Sequence, residues 1–373
     1  MQDDALDSIN AWIALHQTHG LGNAAFCQLL SKFGSPAAIY SASNKQLREV
    51  VDADVASKIN AGINTDAIAP TLNWLKKDHA HVVTLADDTY PKKLLEISNP
   101  PAVLYAIGNL HWLNHPSIAM VGSRSATPQG EKNAEDFAQS LCNSGLCVVS
   151  GMALGIDGAA HRGAIKANGA TIAVVGTGLD IVYPARHRDL AHKIAERGLI
   201  ISEFPLGTPS KAQNFPRRNR LISGLSLGCL VVEANIESGS LITARLATEQ
   251  GREVFAIPGS IHSPVAKGCH LLIKQGAKLV DSTRDILEEI KHLLPTGHQS
   301  DSPSGLMINE QTNPPTATEA DSLLGLMGFD AIHFDTLQRL TSLTTDALSA
   351  MLMVLELENK ITIVKGSQYQ RLV

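Results

Sequence analysis

The chain has 373 residues, a formal net charge of −5, and 44% hydrophobic against 18% charged residues. That length implies two or three domains, and the charge balance excludes a chain that is basic throughout, as histone-like and arginine-rich nucleic-acid binders are. Aromatic residues make up 4%, too few for a long run of base-stacking platforms, so any bound nucleic acid would be held mainly by its phosphates.

The five cysteines, Cys27, Cys142, Cys147, Cys229 and Cys269, include no C-x-x-C pair, so neither a zinc knuckle nor a disulfide framework is expected. The opening MQDDALDSINAWIALHQ is acidic and lacks the basic and apolar regions of a secretory signal. No stretch approaches the ~20 apolar residues of a membrane span. A cytoplasmic chain without membrane association is expected.

In chain order, residues 5–16, 23–32, 35–41, 44–50 and 53–61 read as short helices, punctuated by Gly20-Leu21-Gly22 and by Phe33-Gly34-Ser35-Pro36. Residues 1–78 are thus expected to be a small helical domain of the helix-hairpin-helix kind, either a packing module or a contact to DNA backbone, with packing favoured. From 79 to 292 the pattern changes to short, β-branched apolar runs at 117–121, 146–149, 171–175, 199–201 and 229–232, separated by helical stretches. Such runs suit strands buried on both faces, and the alternation predicts an α/β fold: a Rossmann-like, doubly wound, mostly parallel sheet. Residues 293–320 carry four prolines among Ser, Thr, Asn and Gln and read as a flexible linker. Beyond them, helices at 321–328, 334–341 and 345–359 and a hairpin at 361–372 predict a winged-helix-like domain over 321–373. Its third helix, TDALSAMLMVLELEN, has no basic residue, which favours protein contact or packing over insertion into a DNA groove.

Glycine-bearing loops follow the strands of the central domain. Ile118–Val121 runs into Gly122-Ser123-Arg124 ahead of a helix near Pro128, an arrangement that offers helix N-terminal amides and a guanidinium to an anion. The next strand ends in Ser150-Gly151-Met152-Ala153, with a helix containing His161 beyond, and the third ends in Gly176-Thr177-Gly178. Further on, Ser238-Gly239-Ser240 opens another helix with amides and hydroxyls. These loops are expected to share one sheet edge and line one crevice. The dinucleotide fingerprint Gly-x-Gly-x-x-Gly fails, because Gly176-x-Gly178 lacks the third glycine and runs into Pro184, and no P-loop occurs. No cofactor is therefore expected.

Closely after Lys211, the segment FPRRNR holds Arg217, Arg218, Asn219 and Arg220 with no acid nearby in sequence. Such a cluster suits consecutive backbone phosphates. Asp157, His161, Asp180, Glu203 and Glu233 lie near the loops, but no nucleophile elbow and no metal-ligand spacing accompanies them, so no catalytic or metal residue is assigned. Asp157 and Glu233 are expected to be caps and arginine partners. From the residues alone the chain is a polyphosphate-binding Rossmann-like protein.

The segments GSR (122–124), SGMALGIDGAAH (150–161), GTGLDIVYP (176–184), SEFPLG (202–207), FPRRNRLISGLS (215–226) and VVEANIESGSLITARLATEQGREVFAIPG (231–259) resemble, in this order, the DNA processing protein A family, DprA or Smf. With the flanking domains the resemblance covers nearly the whole chain. It implies a non-enzymatic, cytoplasmic homodimer, joined through the Rossmann-like domain, that binds single-stranded DNA and helps load the RecA recombinase onto it in natural transformation. Carried over residue by residue, the contact set is Gly122, Ser123, Arg124, Ser150, Gly151, Met152, Ala153, Arg217, Arg218 and Arg220. Position 152 often holds glycine in the family. The alternative, a nucleotide-phosphate hydrolase of related fold, expects Pro-Gly-Gly-x-Gly-Thr where this chain reads Glu237-Ser238-Gly239-Ser240.

Overall fold

The computed structural model describes residues 2–294, 319–341, 343–364 and 367–372. The expected linker falls largely outside the described residues.

One nine-stranded sheet organises the chain: β1 (Ala80–Thr84), β2 (Val103–Gly108), β3 (Ser117–Val121), β4 (Cys147–Ser150), β5 (Thr171–Val174), β6 (Leu199–Ser202), β7 (Gly228–Val231), β8 (Glu253–Ala256) and β9 (Lys278–Leu279). Their order is β1-β2-β6-β5-β4-β3-β7-β8-β9. β6 through β9 pair in parallel, while β2 pairs antiparallel to both β1 and β6. The two antiparallel strands are absent from the sequence expectation. Ala80–Thr84 and Val103–Gly108 are joined by a loop holding a 3₁₀ turn instead of a crossover helix, so the alternation that betrays a parallel unit is missing there.

The strand runs are apolar throughout because both faces are covered. Ala119, Val121, Cys147, Val149, Ile172 and Val174 pack against Leu221, Ile222, Ala244 and Leu272 on one face. Their neighbours Ile118, Met120, Val148 and Leu230 pack against Ala134, Ala138, Ala159 and Ala160 on the other. The small alanines let helices Pro128–Asn143 and Ile156–Lys166 lie close to the sheet and to one another.

The N-terminal helices do not close a core of their own. Trp12, Leu15, Phe26, Leu29 and Trp74 share one cluster with Val103 and Tyr105 of β2, and the ring of Trp74 meets that of Tyr105 edge-on at 6.3 Å. Helix Thr65–Trp74, which carries Pro70 in its interior, escapes a sequence reading that ends helices at proline.

At the C-terminal end, helices Glu319–Met327, Phe334–Thr341 and Thr345–Leu357 enclose Leu324, Leu337, Leu348, Leu352 and Leu355. β10 (Ile332–His333) pairs with one side of β12, while β11 (Ile361–Val364) and β12 (Gln368–Arg371) form the wing. This is a winged helix with a third strand that two residues could not announce in sequence.

Candidate nucleic-acid interface

The chain runs β3, β4, β5, β6 to one side and then returns to β7, β8 and β9 on the other, so the sheet's switch point lies between β3 and β7. In open α/β sheets a ligand crevice is expected there, outside the carboxyl ends of the strands. In this chain its own groups fill it. The Ser123 N–H donates to the Glu233 carbonyl at 2.7 Å. The Glu233 carboxylate accepts from the Thr127 N–H at 2.9 Å and from its hydroxyl at 2.6 Å. Burial holds the Glu233 carboxyl above the usual range, and the two Thr127 hydrogen bonds oppose that rise. A Cβ on Gly122 would stand 2.6 Å from Ile156 Cγ1 and 2.8 Å from the Glu233 carbonyl oxygen. The amides at the start of helix Pro128–Asn143, expected to receive an external anion, thus face an internal carboxylate. Glu233 holds Thr127, whose side chain is the cap of that helix.

The open cleft lies one step aside, between the loops after β3, β4 and β5 and helix Asn214–Leu225. Its volume is about 80 Å³, and Arg124, Gly151, Ala153, Thr177, Tyr183, Phe215 and Arg218 are among its lining residues. Phe215 sits between two cations, with Arg124 Cζ 5.2 Å and Arg218 Cζ 5.9 Å from its ring centroid. Tyr183 stands at the rim, 47% exposed, its ring 5.8 Å from that of Phe215. Arg124 is exposed, and among the described residues no ion pair engages it.

The three arginines of the expected row take different places in the structure, and only Arg217 stays exposed. Arg218 is 3% exposed. It donates through Nη1 to the Gly151 carbonyl and, at 2.6 Å, to the Val174 carbonyl. Burial lowers its guanidinium to about 10, with the Asp157 carboxylate acting against that shift and Arg124 adding to it. Asp157 accepts from the Ala153 N–H at 3.3 Å, and burial raises its carboxyl while Arg218 pulls it down. Arg218 therefore builds the floor. A Cβ on Gly151 would collide with the Arg218 guanidinium and approach Asp157 Oδ2 to 2.7 Å, so glycine is required by close approach.

Arg220 is equally committed. It donates to the buried Glu203 carboxylate and, at 2.6 Å, to the Asn99 carbonyl. Arg217 lies 3.7 Å from Glu203, lies over the Phe204 ring and keeps its side chain 55% exposed. Three arginines close in sequence leave a helix in different directions at 100° per residue, and their acids, Asp157 and Glu203, come from distant segments. The basic run has partners that no local window could show.

Of the expected contact residues, the cleft gathers Arg124, Gly151, Ala153 and Arg218. Ser150 is buried, its hydroxyl donating to the Met120 carbonyl at 2.6 Å. Met152 adopts φ 63°, the left-handed region that explains a preference for glycine at this position, and its buried side chain packs beside Ala173, Val175 and Ile200. Lys211 is exposed outside the cleft lining and Asn219 is half-buried. Ser238, Gly239 and Ser240 belong to the β7 side, where the Ser240 N–H donates to Ser238 Oγ at 3.3 Å and caps their own helix. Tyr183 and Phe215 also line the cleft but were not among the expected contact residues; Tyr-Pro after the third glycine loop and Phe before the arginines were the available signals.

The potential acid–base groups are also engaged. His161 Nδ1 meets Thr171 Oγ1 at 2.7 Å, and burial lowers its pKa to about 3. The Asp180 carboxylate holds the Gly207 N–H at 2.9 Å. No group of three or more His, Cys, Asp or Glu suited to a metal ion occurs among the described residues, and no single helix there is long and apolar enough to cross a membrane.

Residues 81–291 match the family model described as DNA recombination-mediator protein A, and residues 309–367 match the DprA winged helix domain. The chain is 41% identical over 310 residues to Protein Smf of Escherichia coli, covering 82% of this chain and 81% of that protein. It is 48% identical over 208 residues to DNA processing protein DprA of Streptococcus pneumoniae, covering 56% and 73%. The X-ray structure of the Streptococcus pneumoniae DprA superposes with a TM-score of 0.68 at 38% identity, over 75% of this chain and 97% of that one. A Helicobacter pylori DNA processing protein A, solved for its single-stranded DNA binding mode, superposes with a TM-score of 0.52 at 29% identity, over 58% and 98%.

Proposed function

The chain belongs to the DNA recombination-mediator protein A (DprA/Smf) family, and from that premise we propose that it binds single-stranded DNA at the cleft between the loops after β3, β4 and β5 and helix Asn214–Leu225. One observation carries the reading: an exposed Arg124, in no ion pair among the described residues, lies over Phe215 at the mouth of a cleft whose floor is a buried guanidinium. Arg124 supplies the phosphate grip. Gly151 and Ala153 give the strand a close approach to backbone, and Tyr183 gives one base a ring face to stack on. A duplex keeps its base faces covered, so the stacking part is open to single strands alone. Exposed Lys211, just before the cleft helix, and exposed Arg217, on it, extend the positive path.

The protein acts by binding, as a cytoplasmic homodimer that presents the strand to RecA during DNA uptake and recombination. The sheet edge at β9, where Leu279 is 46% exposed, offers a pairing surface for a second copy. The apolar third helix of the winged-helix domain, with Met353 and Leu357 exposed, suits a protein contact. Glu233, Asp157 and His161, the groups a hydrolase would need, are each hydrogen-bonded within the fold.

Competition between a single strand of about 20 nucleotides and its duplex tests the reading, since that length exceeds the roughly 4–16 nucleotides of typical single-strand sites. Preferential retention of the single strand is expected; equal retention, or no binding of either, overturns it. Faster RecA assembly on DNA in the presence of the protein is expected, and an unchanged rate removes the loading role.

A further inference from the structure

Helix Asn214–Leu225 serves two sites at once. Phe215 and Arg218 line the cleft, whereas Arg217 and Arg220 leave the helix toward Glu203. Glu203 follows β6, and its side chain is 2% exposed. Arg220 spans from it to the Asn99 carbonyl, 2.6 Å away. Asn99 in turn accepts through its side-chain oxygen from Asn23 Nδ2 at 2.6 Å. Asn23, the first residue of helix Asn23–Phe33, also donates to the Pro100 carbonyl at 2.8 Å and accepts from the Ala102 N–H at 2.8 Å. A continuous polar chain therefore runs from the N-terminal helices to the helix that bears the cleft. None of Asn23, Asn99, Glu203 and Arg220 lines the cleft itself.

Apolar contacts already join the N-terminal helices to the sheet through Tyr105 and Val103, so this chain is not needed to hold the two together. Directional bonds add orientation instead: a planar guanidinium fixed at two nitrogens admits one arrangement of the helix that carries it. We propose that Asn23, Asn99, Arg220 and Glu203 form a positioning relay through which the N-terminal helices set the orientation of the cleft helix, and with it the affinity for a single-stranded polyanion. The inference rests on the function proposed above and adds to it a task for the N-terminal helices that requires no DNA contact of their own.

Two substitutions in the full-length chain test the relay. Asn23→Ala removes the link on the N-terminal side. Arg220→Lys keeps a positive charge against Glu203 but cannot also reach Asn99, so it cuts the relay without stranding a buried carboxylate. Each is expected to weaken binding of the same fluorescently labelled single strand about five- to tenfold, the lower range of site-to-site coupling. Their double variant is expected to bind no worse than the weaker single one, because both break one chain. The slope of log affinity against log salt stays that of the wild type, since every phosphate grip is kept. Amide hydrogen exchange over residues 214–225 is expected to quicken in both, whatever the ligand. Wild-type affinity in either variant, or multiplicative losses in the double variant, overturns the relay. If the wild type binds no single strand, the function proposed above fails and exchange alone decides the relay: quickened exchange over 214–225 upholds the coupling, and unchanged exchange overturns it.

Discussion

Arg218→Ala separates a floor residue from a ligand residue. The side chain is 3% exposed and holds two carbonyls, those of Gly151 and Val174, with Asp157 as its charge partner. Truncation leaves Asp157 buried without its countercharge and strands both carbonyls. Losing two buried hydrogen bonds from a charged donor costs about 3–6 kcal/mol, at roughly 1.5–3 each, and for a domain of this size each kcal/mol lowers the melting temperature by roughly 2–4 °C. A fall of about 6–24 °C is expected by differential scanning calorimetry. Adding Asp157→Asn to the same chain removes the stranded charge and should recover part of the loss. A variant melting within about 2 °C of the wild type, less than one kcal/mol, with weakened DNA binding, would refute the reasoning and restore Arg218 as a direct phosphate ligand.

Other outcomes follow from the same geometry. Tyr183→Ala should weaken single-strand binding by about 1–3 kcal/mol with an unchanged salt slope, read by fluorescence anisotropy; an unaltered affinity would take the stacking face elsewhere. Met152→Gly relieves a left-handed backbone worth roughly 1–2 kcal/mol but deletes a buried side chain worth about 2–5 kcal/mol, so urea titration should show net destabilisation. His16 is half-buried against Tyr105, and that burial, with Arg217 adding to it, lowers its pKa from 6.5 to about 4. A histidine depressed in the folded state contributes stability above about pH 6.5 that is lost as pH falls toward about 4. Stability should decline between about pH 6.5 and about pH 5 in the wild type and less steeply in His16→Gln; parallel curves would contradict the assignment.

The parallel core was legible because strands covered on both faces must be apolar at consecutive positions, as Ile118–Val121 and Thr171–Val174 are. The winged helix was legible for a similar reason, its leucines recurring at Leu348, Leu352 and Leu355. The antiparallel β1 and β2 were not, since neither is followed by a helix that would mark it. At the site, the glycine loops and Arg124 could be read from strand ends and turn chemistry. The fate of the arginines could not, because Asp157 lies far before Arg218 in sequence, Glu203 a full loop before Arg217 and Arg220, and the partners meet only in the folded chain. Nor could the filling of the switch point, which depends on Glu233 reaching Thr127 from another strand, 106 residues away.

The central claim is that the cleft grips a single strand through the exposed guanidinium of Arg124. It is tested most directly by single-strand affinity over a salt series for the wild type and Arg124→Ala. Removing one phosphate grip should flatten the log–log slope by about 0.7, with the melting temperature of the variant unchanged because Arg124 is exposed. A shallower slope at equal stability is the predicted result; identical slopes would move the phosphate grip away from this cleft.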